Sequence, residues 1–412
     1  MLRVAFIVNH FPLLSETFIL NQITGLIERG HQVDIYTCTP GDLHKVHPDV
    51  EKYCLLERTY YLPEIPQNIL WRSLKAIGLL SLNFTKAPGK LLRSLNGFQY
   101  GKSATSLRLF YAAIAGAGKG TYDIVHCQFG TLSFWGMLFR TINAPQAKLV
   151  VSFRGYDISQ FLQEHGDRIY DRTFAEADLF LPNCDFFKRR LLKLGCDESK
   201  LCIHYSGIDC ERFQYTPRYL DSSEKICIAT IGRLVEKKGI EYSIRAVAKI
   251  AKSYPNLEYK IVGSGSLHVE LEQLIQKLEL TNIVHLLGKK DRQEIIEILQ
   301  TSHIFIAPSI TARDGNQDAP VNVLKEAMAI GLPVISTYHG GIPELVEDGI
   351  SGFLVPERDA EAIASKLQYL IAHPDIWNII GAAGRERVER YFNMQKLNDE
   401  LLEIYQKVSR EE

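Results

Sequence analysis

Two segments in the second half of this chain carry the residue types needed to manage a departing phosphate. In residues 231–239, IGRLVEKKG, strand-like text ends at Gly232, and the turn after it holds Arg233 and Lys238. A leaving group that gathers negative charge must be neutralised by a metal or by fixed cations. Arginine brings a bidentate fork and lysine a point charge. An exposed basic turn would explain the same residues. No D-x-D-like pair stands in an obvious strand-end context to hold a metal, which favours cations.

The second segment is residues 310–337, ITARDGNQDAPVNVLKEAMAIGLPVIST. It follows the apolar run HIFIAPS, so it begins at the carboxyl end of a buried strand. Pro320 suits a first helical turn, and VNVLKEAMA reads as a helix. Free N–H groups at its start, with the helix dipole, favour an anion. Asp318 lies just before the helix and Glu326 about two turns in. Eight helical residues rise roughly 12 Å, so the two carboxylates cannot grip one atom. They can contact different parts of one long ligand, such as a sugar and a ribose. The plainer reading makes Asp318 an N-cap and Glu326 a polar helix residue. A third segment, STYHGGIPELVEDGISGFLV, places Gly340 and Gly341 after a strand, where they permit close backbone approach to a ligand. Gly349 and Gly352 read as turn residues. The glycine-rich GSGSLH, residues 263–268, is an incomplete dinucleotide pattern that a tight strand-to-helix turn also explains.

These segments need elements to hold them. LRVAFIV, HQVDIYTC, YDIVHCQF, AKLVVSF and ADLFLPN read as strands of a first series, and Ser15 opens a helix that Gly30 ends. A second series starts at Lys225 with KICIATIG, followed by LEYKIVG, IVHLLG, HIFIAPS and PVISTY. Helical text separates them, and Asp291 with Glu294 forms a capping-box pattern. Strands alternating with helices predict parallel sheets covered on both faces. The pattern starts twice, so the fold class is α/β with two doubly wound domains facing a cleft. The boundary falls near 210–224, a polar stretch. The closing segment YFNMQKLNDELLEIYQKV has helical period and could pack back across the first domain. At 412 residues the chain is too long for one ordinary core. A net charge of −1 gives no whole-protein bias toward nucleic acid. No apolar run reaches the roughly 18–20 residues of a membrane span, and MLRVAFIVNHFP does not read as a signal peptide. Eight cysteines without a C-x-x-C pair suggest reduced thiols and no zinc site. One local imbalance stands out. From Ile65 to Tyr122 there is no Asp or Glu, yet the stretch holds Arg72, Lys75, Lys86, Lys90, Arg93, Lys102, Arg108 and Lys119. It is either a solvated helical face or a surface for anionic lipid or a phosphate-bearing substrate.

In this order, GRLVEKKG, VGSGS, the acidic pair spaced as E-x7-E, and HGGIPELVEDGISGFLV resemble the family-4 retaining glycosyltransferases of GT-B fold. The resemblance covers nearly the whole chain and is most specific over residues 231–356. PLLSETFI, DIVHCQFG and SFRGYD look like the branch that builds bacterial exopolysaccharides of colanic-acid type. The resemblance implies an acceptor-binding domain over 1–212, a nucleotide-sugar domain over 213–388, and a returning helix over 389–412. It implies that Arg233 and Lys238 bind the donor diphosphate, Glu326 the ribose region and Asp318 the sugar hydroxyls. The turn at Gly288 and Lys289 would cradle the base, Asn322 and Val323 would offer N–H groups to phosphate, and Gly232, Gly340 and Gly341 would line the donor site. Ser15, Glu16, His126, Arg154 and Asp157 are acceptor-side candidates. Asp318 stands where the family usually has Glu, and Arg154 where many members have His. Arg154 is permanently charged and cannot act as a general base. It could meet the departing phosphate, hold an acidic acceptor, or form a salt bridge to Asp157. A satisfied structural histidine would equally explain His126.

The expectation is therefore a metal-independent, retaining hexosyltransferase without a cofactor. It would move a sugar from a nucleotide-diphosphate donor to a glycan or lipid-linked acceptor in polysaccharide biosynthesis. It would work in the cytoplasm, with possible contact to the inner face of the plasma membrane and none to nucleic acid. The alternatives are a GT-B-fold sugar epimerase or phosphorylase, and a non-catalytic nucleotide-sugar-binding protein.

Overall fold

The computed structural model describes residues 1–13, 16–41, 46–220 and 225–410. Ser15 and part of the expected polar boundary, residues 221–224, lie outside them. The first sheet holds β1 (Arg3–Phe11), β2 (Gln32–Pro40), β3 (Thr59–Tyr61), β4 (Ile124–Cys127), β5 (Lys148–Phe153) and β6 (Leu179–Pro182). The second holds β7 (Ile226–Ile231), β8 (Leu257–Val262), β9 (Val284–Leu286), β10 (Ile304–Ala307), β11 (Val334–Thr337) and β12 (Phe353–Val355). Their orders are β3-β2-β1-β4-β5-β6 and β12-β11-β10-β7-β8-β9, all parallel. Read from its own first strand, each sheet has the order 3-2-1-4-5-6. Each therefore reverses direction once, between β1 and β4 and between β7 and β10. Ligands of such sheets bind at the carboxyl ends of the strands beside that reversal.

The strands form because their residues can be buried on both faces. Val4 through Val8 of β1 are completely enclosed, as are Ile304, Phe305 and Ile306 of β10. A continuous apolar run of this kind is the mark of a covered parallel sheet. One core of the first domain gathers Val125, Leu149, Phe153, Phe180 and Phe187, and another gathers Val4, Phe6, Ile23 and Ile35.

The last two helices tie the domains together. Trp377–Tyr391 packs on the second domain, while Met394–Arg410 lies on the first, where Leu401, Tyr405 and Val408 join the core around Val4 and Phe6. Arg29 pairs with Asp399 at 2.7 Å beside them. The return crossing runs next to the interdomain linker: Ile208 N donates to Phe392 O and Met394 N to Ile208 O, each at 2.9 Å.

Candidate active site

The turn after β7 is shaped by glycines. Gly239 has φ +58°, and a Cβ there would stand 2.0 Å from the Pro308 carbonyl oxygen. That glycine ends the single turn Glu236–Lys238 and folds it against the loop after β10. Two lysines of the turn then reach one carboxylate. Lys238 Nζ lies 2.7 Å from Asp318 Oδ2, and Lys237 Nζ 3.0 Å from Asp318 Oδ1. Ser309 Oγ adds a hydrogen bond to Oδ2 at 3.0 Å, and Lys237 also donates to Asn316 Oδ1 at 3.1 Å. The Lys238 stem lies over Gly232, 3.7 Å from where a Cβ would sit. Arg233 is exposed at the mouth of this cluster.

The electrostatics follow from burial and crowding of charge. Burial favours a neutral Asp318, but Lys238 and Lys237 outweigh it and hold the carboxyl far below the usual carboxylate range. Burial pushes the Lys238 ammonium down; Asp318 opposes that shift, and Lys237 and Arg233 add to it. Asp318 does not cap the helix. Its carboxylate is engaged by the lysines, and the helix Asn322–Ile330 begins four residues later with Val321 at the N-cap. Glu326 is consequently in the fifth helical position, little more than one turn from the start.

A second layer fixes Asp318 from behind. His339 Nε2 accepts from Asp318 N at 2.9 Å, so its Nδ1 carries the proton donated to Glu357 Oε1 at 2.6 Å. Glu357 also accepts from Thr311 N at 2.8 Å and from Thr311 Oγ1 at 3.2 Å. Burial raises the Glu357 carboxyl, but the Thr311 N–H and His339 lower it on balance. The paired glycines serve this layer. At Gly340, φ +51°, a Cβ would stand 2.0 Å from Asp318 O, and at Gly341 one would meet Pro320 Cδ at 2.5 Å. The close approach expected for a ligand is therefore made by the protein's own chain.

No side chain caps the helix Asn322–Ile330. Leu324 N and Lys325 N bond to Val321 O, which leaves the Asn322 and Val323 N–H groups directed outward at the start. Asn322 Oδ1 instead accepts from Lys325 Nζ at 3.1 Å. Glu326 is partly exposed; burial raises its carboxyl, and Arg292 and Lys325 offset part of that rise. Gly288 has φ +68° with open space around its Cβ position, and Lys289 beside it is exposed.

On the first domain, Arg154 follows β5 and is almost entirely enclosed. Its guanidinium donates to Gln128 O at 3.2 Å, Gln128 Oε1 at 2.7 Å, Gln22 Oε1 at 3.3 Å and Ser206 Oγ at 3.0 Å. It also lies over the Phe18 ring, 4.5 Å from the centroid. The salt bridge to Asp157 is not formed. Asp157 accepts from the backbone N–H groups of Gly130, Arg154 and Gly155 at 2.8–3.0 Å, so it organises the loop and does not face an acceptor. His126 is likewise withdrawn: Nδ1 meets Tyr405 Oη at 2.6 Å and Nε2 meets Ser152 Oγ at 2.8 Å, with no exposed surface. Of the acceptor-side candidates, Glu16 stands at the N-cap of the helix Thr17–Glu28, and burial, opposed by Arg154, raises its carboxyl to about 7.

The structure thus brings Arg233, Lys238, Asp318 and the start of the Asn322–Ile330 helix to the carboxyl edges of β7 and β10. It also binds the 316–318 loop to the first domain. Gln317 N donates to Ser159 Oγ at 3.3 Å, Asn316 Nδ2 to Gln160 Oε1 at 2.9 Å, and Arg190 to Gln317 Oε1 at 2.9 Å. Sequence reasoning missed Lys237, Ser309, His339, Glu357 and Arg292. The doubled lysine of EKKG was the one local signal among them.

Among the described residues no group of three metal-binding side chains occurs, and the eight cysteines are free. Comparison with known proteins adds the family. Residues 15–212 match the model described as Glycosyltransferase Family 4, and residues 213–387 match Glycosyl transferases group 1. The amylovoran biosynthesis glycosyltransferase AmsK of Erwinia amylovora is 35% identical over 99% of this chain and 100% of its own length. WcaL of Salmonella typhimurium, named for colanic acid biosynthesis, is 34% identical over 99% and 100%. In fold, a glycosyltransferase from Rickettsia africae superposes with a TM-score of 0.72 at 20% identity, covering 100% of this chain and 99% of its own. Anabaena HepE in complex with UDP superposes at 0.71 with 18% identity, covering 99% and 100%.

Proposed function

This chain belongs to the family-4, group 1 glycosyltransferases, and from that premise we propose that it is a hexosyltransferase of exopolysaccharide assembly. It takes a sugar from a nucleotide-diphosphate donor and places it on a glycan or lipid-linked acceptor, without a metal and with retention at the anomeric carbon. The observation that carries this reading is the Lys237–Asp318–Lys238 cluster beside Arg233 and the uncapped helix start. Fixed cations and outward N–H groups are what a leaving diphosphate requires.

In the reaction the bond from the anomeric carbon to the donor phosphate oxygen breaks first. Arg233, Lys238 and the N–H groups of Asn322 and Val323 take up the growing charge. The acceptor oxygen attacks from the face the diphosphate is leaving, and its proton passes to that phosphate. Asp318 is held by Lys237 for the sugar hydroxyls, and Glu326 for the ribose. The protein would act at the cytoplasmic face of the plasma membrane, where lipid-linked intermediates are built.

The test is Lys238→Ala. Transfer should fall by at least about a hundredfold while circular dichroism stays that of the native fold. Near-normal turnover would refute the diphosphate role. Activity should persist in EDTA, and product analysis should show the donor's own anomeric configuration. Consumption of donor to an epimer with no acceptor present would point to an epimerase instead.

A further inference from the structure

The helix Ile69–Asn83 turns its apolar side outward. Arg72 and Ala76 face the domain. The Arg72 guanidinium donates to the carbonyls of Pro66 at 2.8 Å, Ser106 at 2.9 Å and Gln67 at 3.1 Å. The opposite side carries Leu70, Trp71, Leu74, Ile77 and Leu82, each 60–72% exposed. At 100° per residue these five fall within an arc of roughly 140°. Helices of globular domains turn such a stripe to the core. The apolar exposure continues beyond the helix in Phe84, Leu92, Leu95 and Phe98. Monomeric proteins rarely leave a patch of this extent uncovered.

The surrounding charge indicates what covers it. The segment from Ile65 to Tyr122 has eight cations and no acid, in a chain whose totals are 47 basic and 48 acidic residues. Lys75, Lys86, Arg93, Lys102 and Arg108 are exposed within it. A second copy docked on this face would set cations against cations. An anionic bilayer satisfies both features, since acyl chains accept the apolar stripe and headgroups accept the cations. Trp71 is the ring type favoured at that boundary. The helix spans about 22 Å, and no helix among the described residues is long and apolar enough to cross a membrane, so it would lie in the plane.

We propose that the outward face of Ile69–Asn83 is a docking surface for anionic membrane lipid. The helix is reached from the carboxyl end of β3 through residues 62–68, and that edge of the sheet also bears Glu16 and Arg154. Docking there sets the acceptor side of the cleft toward the lipid surface. The inference deepens the transferase reading, resting on it only for the acceptor.

The experiment uses full-length protein, without donor or acceptor, sedimented with phosphatidylcholine vesicles or with vesicles containing about one third phosphatidylglycerol. Wild type should sediment with the anionic vesicles only, less so at high salt, with blue-shifted tryptophan emission. The triple variant Leu70→Ser, Leu74→Ser, Ile77→Ser should bind at least about tenfold more weakly. So should Lys86→Glu with Lys102→Glu. Both variants should unfold at the wild-type temperature and still transfer to a water-soluble acceptor. Absence of wild-type binding, equal binding to neutral vesicles, or unchanged binding by the triple variant overturns the proposal. A wild-type dimer that the triple variant dissociates also overturns it, by making a second copy the occupant. Because binding is read apart from transfer, loss of one is distinguishable from loss of the other.

Discussion

Replacing Asp318 by Asn keeps the shape of the lysine–aspartate cluster and removes the charge that balances it. Its two partners are Lys237 at 3.0 Å and Lys238 at 2.7 Å, with side chains only 10% and 17% exposed. Both ammonium groups would then be crowded together, with an amide oxygen in place of a carboxylate. Breaking a buried pair by removing one partner costs about 3–5 kcal/mol, chiefly from the charge left behind. For a domain of this size, that lowers the melting temperature by on the order of 10 °C. The sign with pH is fixed. The native Asp318 carboxyl lies well below its unfolded value of about 3.9, so its stabilisation is present above that value and lost as pH falls below it. The variant's deficit should therefore be full at neutral pH and shrink in acid. Adding Lys237→Met to Asp318→Asn should restore part of the loss, because one surplus cation is gone. Calorimetry of the four proteins between about pH 3 and about pH 8, a range that crosses carboxylate titration, measures this. Strict additivity of the two substitutions, or a single variant within about 0.5 kcal/mol of wild type, would refute the cluster.

Three further outcomes follow from the geometry. Gly340→Ala places a methyl group 2.0 Å from the Asp318 carbonyl at φ +51°, so it should lower kcat/KM by at least about tenfold and cost about 1–3 kcal/mol of stability, read by steady-state kinetics and urea unfolding. Glu357→Gln weakens the anchor of His339 and should raise the donor KM while leaving folding intact; unchanged donor affinity would remove His339 from the positioning of Asp318. Glu16, raised to about 7, has a native value above its unfolded one, so its contribution is most favourable in acid and is lost as pH rises toward 7. Glu16→Gln should thus match wild type near pH 4 and exceed it in stability near pH 8, both within about half a unit.

Most of the architecture was legible because parallel strands buried on both faces must be continuous apolar runs. Ten of the twelve strands among the described residues could be read from the sequence, KICIATIG and HIFIAPS as such apolar runs and others, such as LEYKIVG, as β-rich text between helical segments. The two missed, β3 and β12, are three-residue edge strands, too short to show any period. Arg233, Lys238, Asp318 and Glu326 were legible because turn, strand end and helix start place them locally. Their partners were not. Lys237 meets a carboxylate 81 positions away, and His339 Nε2 reaches the Asp318 amide across 21. Such contacts depend on neighbouring loops in a sheet whose strand order is not sequential. The same holds for His126: its place at a strand end suggested the cleft, but the returning helix brings Tyr405 onto its Nδ1 and closes it off.

Besides the bonds of the 316–318 loop, one residue of the linker is shared by the two domains. Ser206 accepts from Arg154 through its hydroxyl at 3.0 Å and from Lys325 through its carbonyl at 2.6 Å. Arg154 belongs to the loop after β5 in the first domain. Lys325 belongs to the uncapped helix Asn322–Ile330 of the second domain. Burial brings the Lys325 ammonium down to about 7, partly resisted by Cys184 and Glu326, so its bonds to Ser206 O and Asn322 Oδ1 are the main compensation for enclosing a charge there. A shift of Arg154 toward an acceptor must therefore either break its bond to Ser206 or carry the linker with it. In the second case it moves the anchor of Lys325 and with it the Asn322 side chain at the helix start. Arg154 is thus a permanent cation joined through Ser206, by two hydrogen bonds, to Lys325 of the Asn322–Ile330 helix.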